Sequence, residues 1–212
     1  MSIGKLPVLR GWQRKIRSSR LREFIDSLEV TPEHLILDVG GTMWTWTLPE
    51  TQDLRAVMLN LHSYEVDGAH ASRLQSVAGD ACALTYEDVE FEIVFSNSVI
   101  EHVSTYENQQ KMAKELRRVG KRLWVQTPAR SFFFEPHYVT PFIHWFPKEM
   151  RRKMIRWCTM WGLLNRPSKE RVDEMIEELR LLSYDEMKEL FPDCEIRKEK
   201  LLGITKSYVA VR

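Results

Sequence analysis

The chain has no apolar run approaching the roughly 18 residues that span a bilayer, and no hydrophobic signal core at its N-terminus. A soluble protein is expected. Cysteine is scarce: Cys82, Cys158 and Cys194 are three in number, far apart, and include no C-x-x-C pair. That argues against a disulfide scaffold or a structural zinc site and fits a reducing, cytoplasmic setting. No Gly/Ser/Pro-rich linker, internal repeat or low-complexity tract interrupts the 212 residues, and 43% hydrophobic content suffices for a full core, so one domain over 1–212 is expected. Net charge is nearly absent at +1, which removes any global reason to expect nucleic acid or a membrane.

Acidic residues are missing from the first 22 positions, which hold seven Lys/Arg. That composition overlaps with organellar transit peptides. However, Trp12, Ile16, Leu21, Phe24, Ile25 and Leu28 approximate a helical stripe. The better reading is a basic amphipathic helix within 1–30 that covers the sheet edge or a site.

What is present is an alternation of buried strands and helix-length connections. Strands are expected at 34–39, 55–61, 74–79, 91–97 and 122–127, with a late pair near 194–201 and 205–211. Helical patterns cover 98–103, 105–119, 148–162, 169–181 and 184–191, with Gly120 as a C-cap and Pro167-Ser168 as a start signal. The stretch 131-SFFFEPHYVTPFIHWFP-147 is too irregular for a regular element and too apolar for a solvated loop, so it should fold over something. Such an order implies an α/β sheet with ligands beyond the carboxyl ends of its central strands.

The first of those ends reads 35-LILDVGGTMWTW-46, and it lacks the further glycines of a dinucleotide fingerprint: Thr42 and Trp44 stand in their places. With 36-ILDVGG-41, 78-AGDACAL-84, 91-FEIVFSNSVIEHV-103 and 122-RLWVQTP-128, the sequence resembles the class I S-adenosylmethionine-dependent methyltransferases. The likeness is to their small-molecule group related to the quinone methyltransferases (methyltransferase type 11-like). It spans about 30–130 well and the terminal strand pair loosely. The resemblance implies a Rossmann-like fold: a mostly parallel seven-stranded sheet, helices on both faces, and a helical and aromatic substrate cover or lid over 128–182. It also implies S-adenosylmethionine as cofactor and S-adenosylhomocysteine as product, with Asp38, Gly40 and Gly41 as the wall beside the methionine part and ribose. Asn60 stands where the family usually has a ribose-binding acid, Asp80 and Ala81 lie near the adenine, and Asn97 faces the methionine amino group. Trp44 and Trp46 either cap the cofactor or pack beneath the loop, and His102 either faces the site or caps local structure.

Methyl transfer from a sulfonium is an in-line displacement that alignment and water exclusion largely drive, with a base needed only if the acceptor must lose a proton. His137 is the candidate base, with Glu135 or Tyr138 orienting the acceptor. No metal is expected: Glu135, His137 and His144 lack a fourth ligand and a recognised spacing. The stretch 145-WFPKEMRRKMIRWCTMWGLL-164 reads as a lid helix with a solvated basic face, or as a peripheral membrane contact that admits a lipid-like acceptor. The expected activity is methylation of an oxygen or carbon of a small, fairly apolar acceptor. The alternative is a methyltransferase-like binding or regulatory subunit, which Thr42, Trp44 and Asn60 favour. The sequence lacks the G-x-G-x-x-G and ribose-binding acid of a nicotinamide dehydrogenase, and it has neither the N/D-P-P-Y-type tetrad nor the catalytic-cysteine pattern of nucleic-acid methyltransferases.

Overall fold

The computed structural model describes residues 18–212. A helix α1 covers 18–27; Trp12 and Ile16 of the expected stripe lie outside the described residues. Leu21, Phe24 and Leu28 are buried, and Phe24 packs tilted against Phe95 and edge-on to Trp124 at ring distances of 4.7 and 5.8 Å. Burying each such side chain contributes roughly 1.5–3 kcal/mol, so the helix is fixed to one face of the sheet.

The main sheet comprises β1 (Leu35–Val39), β2 (Arg55–Asn60), β3 (Leu74–Ala78), β4 (Phe91–Asn97), β5 (Gly120–Pro128), β8 (Glu195–Leu201) and β9 (Ile204–Val211). Their order is β3-β2-β1-β4-β5-β9-β8. The first five run parallel, and β9 enters antiparallel between β5 and β8. Strands buried on both faces read as continuous apolar runs, which is why Leu35–Val39 and Phe91–Phe95 were conspicuous in the sequence.

Between β1 and β2 only one helical turn forms, α2 (Met43–Trp46). The longest helix among the described residues, α3 (Tyr106–Val119), is N-capped by Thr105, whose side chain accepts from the Asn108 amide, and buries Gln109, Met112, Ala113, Leu116 and Val119 at helical spacing. Gly120 follows it, but in an extended rather than a left-handed conformation. Its lack of a side chain matters for another reason: a Cβ would lie 2.6 Å from Val94 Cγ2 on the neighbouring strand.

After β5 the chain builds the cover. The aromatic segment contains a minimal hairpin, β6 (Phe134–Glu135) with β7 (Thr140–Pro141), and a 3-10 turn at Ile143–Trp145. The helix expected at 148–162 is two: α4 (Lys148–Cys158) and α5 (Met160–Asn165), divided at Thr159, whose hydroxyl accepts from the Gly162 amide at 2.9 Å. Helix α6 (Lys169–Glu178) starts at Ser168, and α7 (Tyr184–Leu190) starts with a full capping box of Ser183 and Glu186. Tyr138, Ile143, Ile155, Val172, Ile176, Leu179 and Leu181 form a small apolar core of the cover's own. No helix among the described residues is long and apolar enough to cross a membrane.

Candidate active site

Because β1 to β5 are parallel, their carboxyl ends share one edge, which runs in space Asp80-Ala81, Asn60, Gly40-Gly41, Asn97, then Gln126. Backbone bonds stitch this edge: Gly79 N donates to Asn60 O and Gly40 N to Leu59 O, each at 2.8 Å, and Ser98 N donates to Gln126 O at 2.9 Å. The sequence-derived cofactor residues therefore come together along one line.

Their side chains do not all play the expected parts. Asp38 is buried, and its carboxylate accepts from the Trp46 indole at 2.6 Å. Burial pushes the Asp38 pKa up to about 7 against the lowering effect of that bond. Asp38 thus supports the loop from beneath, with Trp46 fully buried as packing, while Trp44 is 41% exposed. Gly40 has φ +80°, and a Cβ there would meet Val99 Cγ2 at 2.3 Å; one on Gly41 would meet Asp38 Oδ2 at 2.1 Å. The glycine pair is required first by this tight packing. Asn60 donates its amide to Gly41 O at 2.8 Å, leaving its carbonyl oxygen as an acceptor, and the Tyr64 hydroxyl reaches the same Gly41 O at 3.3 Å. Asp80 is exposed and accepts from the Cys82 amide through one oxygen at 2.8 Å.

Next to Asn97 the edge opens into a cleft of about 480 Å³, with Ser98, Gln126, Phe132, Phe133, Phe134 and Pro136 among its walls. Arg20 of α1 closes one side: it donates to Asn97 Oδ1 at 2.8 Å and Gln126 Oε1 at 3.2 Å, and pairs with Glu199 at 2.9 Å. Burial pushes the Glu199 carboxyl up, but Arg20 and a Ser207 hydrogen bond outweigh it and hold the group below the usual range. Sequence reading missed Arg20 because its partners lie 77 to 179 residues away.

Beneath the cover lies a second grouping. The 3-10 turn Ile100–His102 follows β4, with Ile100 in the core and Glu101 fully buried. Thr127 donates to Glu101 Oε2 at 3.0 Å, while Oε1 has no partner among the described residues. Burial raises the Glu101 pKa to about 7, only partly offset by hydrogen bonds and by His137. His102 Nε2 stands 3.1 Å from His137 Nε2, and His137 Nδ1 lies 2.5 Å from Glu135 Oε1. Burial disfavours the charged ring of His137, but Glu135 more than compensates and moves its pKa upward. Burial and the charge of His137 move His102 downward. Gln109 pins the arrangement by donating to Ile100 O at 3.0 Å and Arg180 O at 2.8 Å.

Four non-glycine residues with positive φ surround this group: Ser98 (60°), Ser104 (67°), Val139 (51°) and Phe142 (63°). Such residues cost on the order of 1–3 kcal/mol each and cluster where a site over-determines the backbone. One expectation needs correction here. Tyr138 is fully buried in the cover and its hydroxyl donates to Met175 O at 3.3 Å, so it packs rather than orients an acceptor. His144 bonds Arg130 O at 3.0 Å, and the histidine beside His137 is His102.

Residues 40–122 match the methyltransferase domain family. The fold is that of the class I S-adenosylmethionine-dependent methyltransferases. Similar solved structures include magnesium protoporphyrin IX methyltransferase of Synechocystis PCC 6803 with bound S-adenosylhomocysteine, at 12% identity and a TM-score of 0.56 over 94% of this chain and 83% of that one. A protein of Pyrococcus horikoshii OT3 matches at 14% identity and TM-score 0.59, over 94% and 90%. A protein provisionally described as a Zn-dependent alcohol dehydrogenase of Rhodobacter sphaeroides matches at 14% and 0.61, over 90% and 87%. At such identities these likenesses concern the fold alone. No curated protein sequence matches the chain significantly. The methyltransferase match begins inside the Gly40-Gly41 turn and ends in β5, so it covers the strand ends but not the cover.

Proposed function

We propose that the chain transfers a methyl group from S-adenosylmethionine to an oxygen or carbon of a small, fairly apolar acceptor. The observation that carries this reading is the continuity of the strand-end line with the aromatic cleft, which meet at Ser98 and Gln126. The donor set along the line fits the cofactor. Asp80 has a second carboxylate oxygen for an exocyclic amine, Asn60 an amide carbonyl for a ribose hydroxyl, and nothing on the line requires a phosphate. The bound cofactor supplies an electrophilic methyl on a positively charged sulfur. The chain's own residues hold the two reactants in line, and the cover excludes water.

For a hydroxyl or acidic carbon acceptor, His137 takes up the proton, and Glu135, fully buried, orients its ring rather than touching the acceptor. Because Glu135 raises the His137 pKa, turnover should climb with pH through a limb above the ordinary histidine value of about 6.5. A pH-rate profile checks this. The phenylalanines lining the cleft favour an apolar acceptor. A lipid-like one, reached from a membrane surface, is favoured by the exposure of Trp157, Met160, Leu163 and Leu164 on the cover beside Lys153 and Arg156.

The second reading, a binding or regulatory subunit, draws support from Asn60 and Tyr64, both of which already bond Gly41 O. Isothermal titration with S-adenosylmethionine and S-adenosylhomocysteine separates the two. One-to-one micromolar binding supports the enzyme and directs the acceptor search to apolar phenols and lipids. No heat and no thermal stabilisation supports the subunit.

A further inference from the structure

We propose that Glu101, His102 and His137 form a binding site for one divalent transition-metal ion, of the zinc or manganese kind, beside the acceptor cleft. One ligand atom from each residue lies within 4.8 Å of the others, although His102 and His137 are 35 residues apart. The two Nε2 atoms are 3.1 Å apart. Two ligands on one tetrahedral ion with bonds of about 2.0–2.1 Å stand roughly 3.3 Å from each other. The Glu101 oxygen needs only a small approach to complete a two-histidine, one-carboxylate set, a ligand group that leaves coordination positions open.

An N–H···N bond between the imidazoles would account for their spacing but not for the carboxylates. Glu101 and Glu135 are both fully buried, and each has one oxygen, Oε1 and Oε2 respectively, without a partner among the described residues. No Lys or Arg among the described residues pairs with either; the only ion-pair partner of the two is His137. Two buried carboxyl groups, each with one unpartnered oxygen, therefore converge on two imidazoles, and buried ionisable groups of this kind are satisfied by pairing or by binding metal. Glu135 fits the outer role that metal-binding histidines require: by accepting from His137 Nδ1 it turns the lone pair of Nε2 toward His102. Thr127 and Gln109 do the same for the other side, by holding Glu101 Oε2 and the Ile100 carbonyl.

What the ion does rests on the methyltransferase reading; that it binds does not. Pro136, adjacent to His137, and Ser98, just after β4, line the cleft, which puts the ion site next to the space for an acceptor. With the ion bound, His137 is a ligand rather than the base. A metal-bound acceptor hydroxyl then loses its proton to solvent near neutral pH. Its oxygen lone pair forms the new bond to the sulfonium methyl, and the carbon–sulfur bond breaks with both electrons passing to sulfur.

The test uses full-length protein stripped with chelator and titrated with Co(II) by absorbance and with Zn(II) by calorimetry. One ion per chain at micromolar affinity or tighter is expected, with affinity lowered at least tenfold in His102→Ala and His137→Ala and about 10–100-fold in Glu135→Gln. Absence of saturable binding, binding unchanged in both histidine variants, or a Co(II) spectrum with thiolate bands would overturn the proposal. Circular dichroism and thermal midpoints show whether the variants fold. If they do not, Mn(II) added to wild-type protein should broaden the ring proton resonances of His102 and His137 before those of His62 and His70; the reverse order overturns it. Binding of S-adenosylhomocysteine, measured separately, keeps the two ideas apart: its absence alongside metal binding removes the methyltransferase reading alone, and its presence without metal binding removes the ion alone.

Discussion

Asn60 shows how a single side chain can change the role of a position. The resemblance puts an acid there for ribose, yet the structure uses the Asn60 amide as a donor to Gly41 O. Asn60→Asp would place a carboxylate against that carbonyl. It should destabilise the protein by about 1–3 kcal/mol through the unpaired groups, and it should not tighten S-adenosylmethionine binding. Urea unfolding and calorimetry would check both, and tighter binding at unchanged stability would refute this account of Asn60. Asp38 and Glu101 give a second residue-scale expectation. Both are buried carboxyls with pKa values raised to about 7 from 3.8 and 4.5. Folding favours their protonated forms, so their contribution is intact below about pH 4 and lost as pH rises to about 7, beyond which it is flat. Thermal midpoints of Asp38→Asn should gain on wild type across that window. Parallel curves would show that Asp38 titrates normally.

At the scale of elements, the short turn Ile100–His102 and helix α3 depend on one buried amide. Gln109 donates to Ile100 O and Arg180 O and accepts from Arg180, linking the turn after β4, α3 and the segment that follows α6. Gln109→Leu keeps the volume but leaves two carbonyls without donors. A loss of about 2–4 kcal/mol is expected from two such groups, together with slower turnover and weaker metal binding, because Glu101 and His102 ride on that turn. Full turnover at reduced stability would limit Gln109 to folding. The strands and α3 were legible in the sequence because two-sided burial and helical periodicity leave local patterns. The break at Thr159, the 3-10 turn at 100–102 and the small hairpin of the cover were not: short elements have little periodicity, the Thr159 hydroxyl breaks the helix through side-chain bonds to Ile155 O and Gly162 N, and the turn is held by Gln109, which also bonds Arg180.

Across the whole molecule, Arg20 joins α1, the ends of β4 and β5, and β8 in one contact. Arg20→Ala leaves Glu199, only 12% exposed at its side chain, without its bidentate partner. Lys206 stays 3.9 Å from Glu199 and Ser207 still donates to it, so the loss should stay below the about 3–5 kcal/mol of an uncompensated buried charge, and Arg20→Ala with Glu199→Gln should recover much of it. Denaturant midpoints decide, and equal losses in the single and double variants would show that the pair is not coupled. The exposed apolar face of the cover gives a last expectation: binding to anionic vesicles should be measurable by co-sedimentation and should fall several-fold in Trp157→Ser combined with Leu164→Ser. Sedimentation unaffected by that double change would remove membrane contact through this face.

The sequence alone determined the succession of the main-sheet strands and of the longer helices, the glycine turn, and, to within one residue, where each parallel strand ends, since these follow from local patterns of burial and turn chemistry. Only the tertiary structure decided what those residues do. It turned Asp38 inward to Trp46, gave Asn60 to the loop, buried Tyr138, and brought His102 to His137 with Glu101 and Glu135 behind them. The physical reason is that hydrogen-bond partners, burial and charge balance are properties of side chains meeting across long stretches of chain. A linear pattern carries no signal of which buried group will face which.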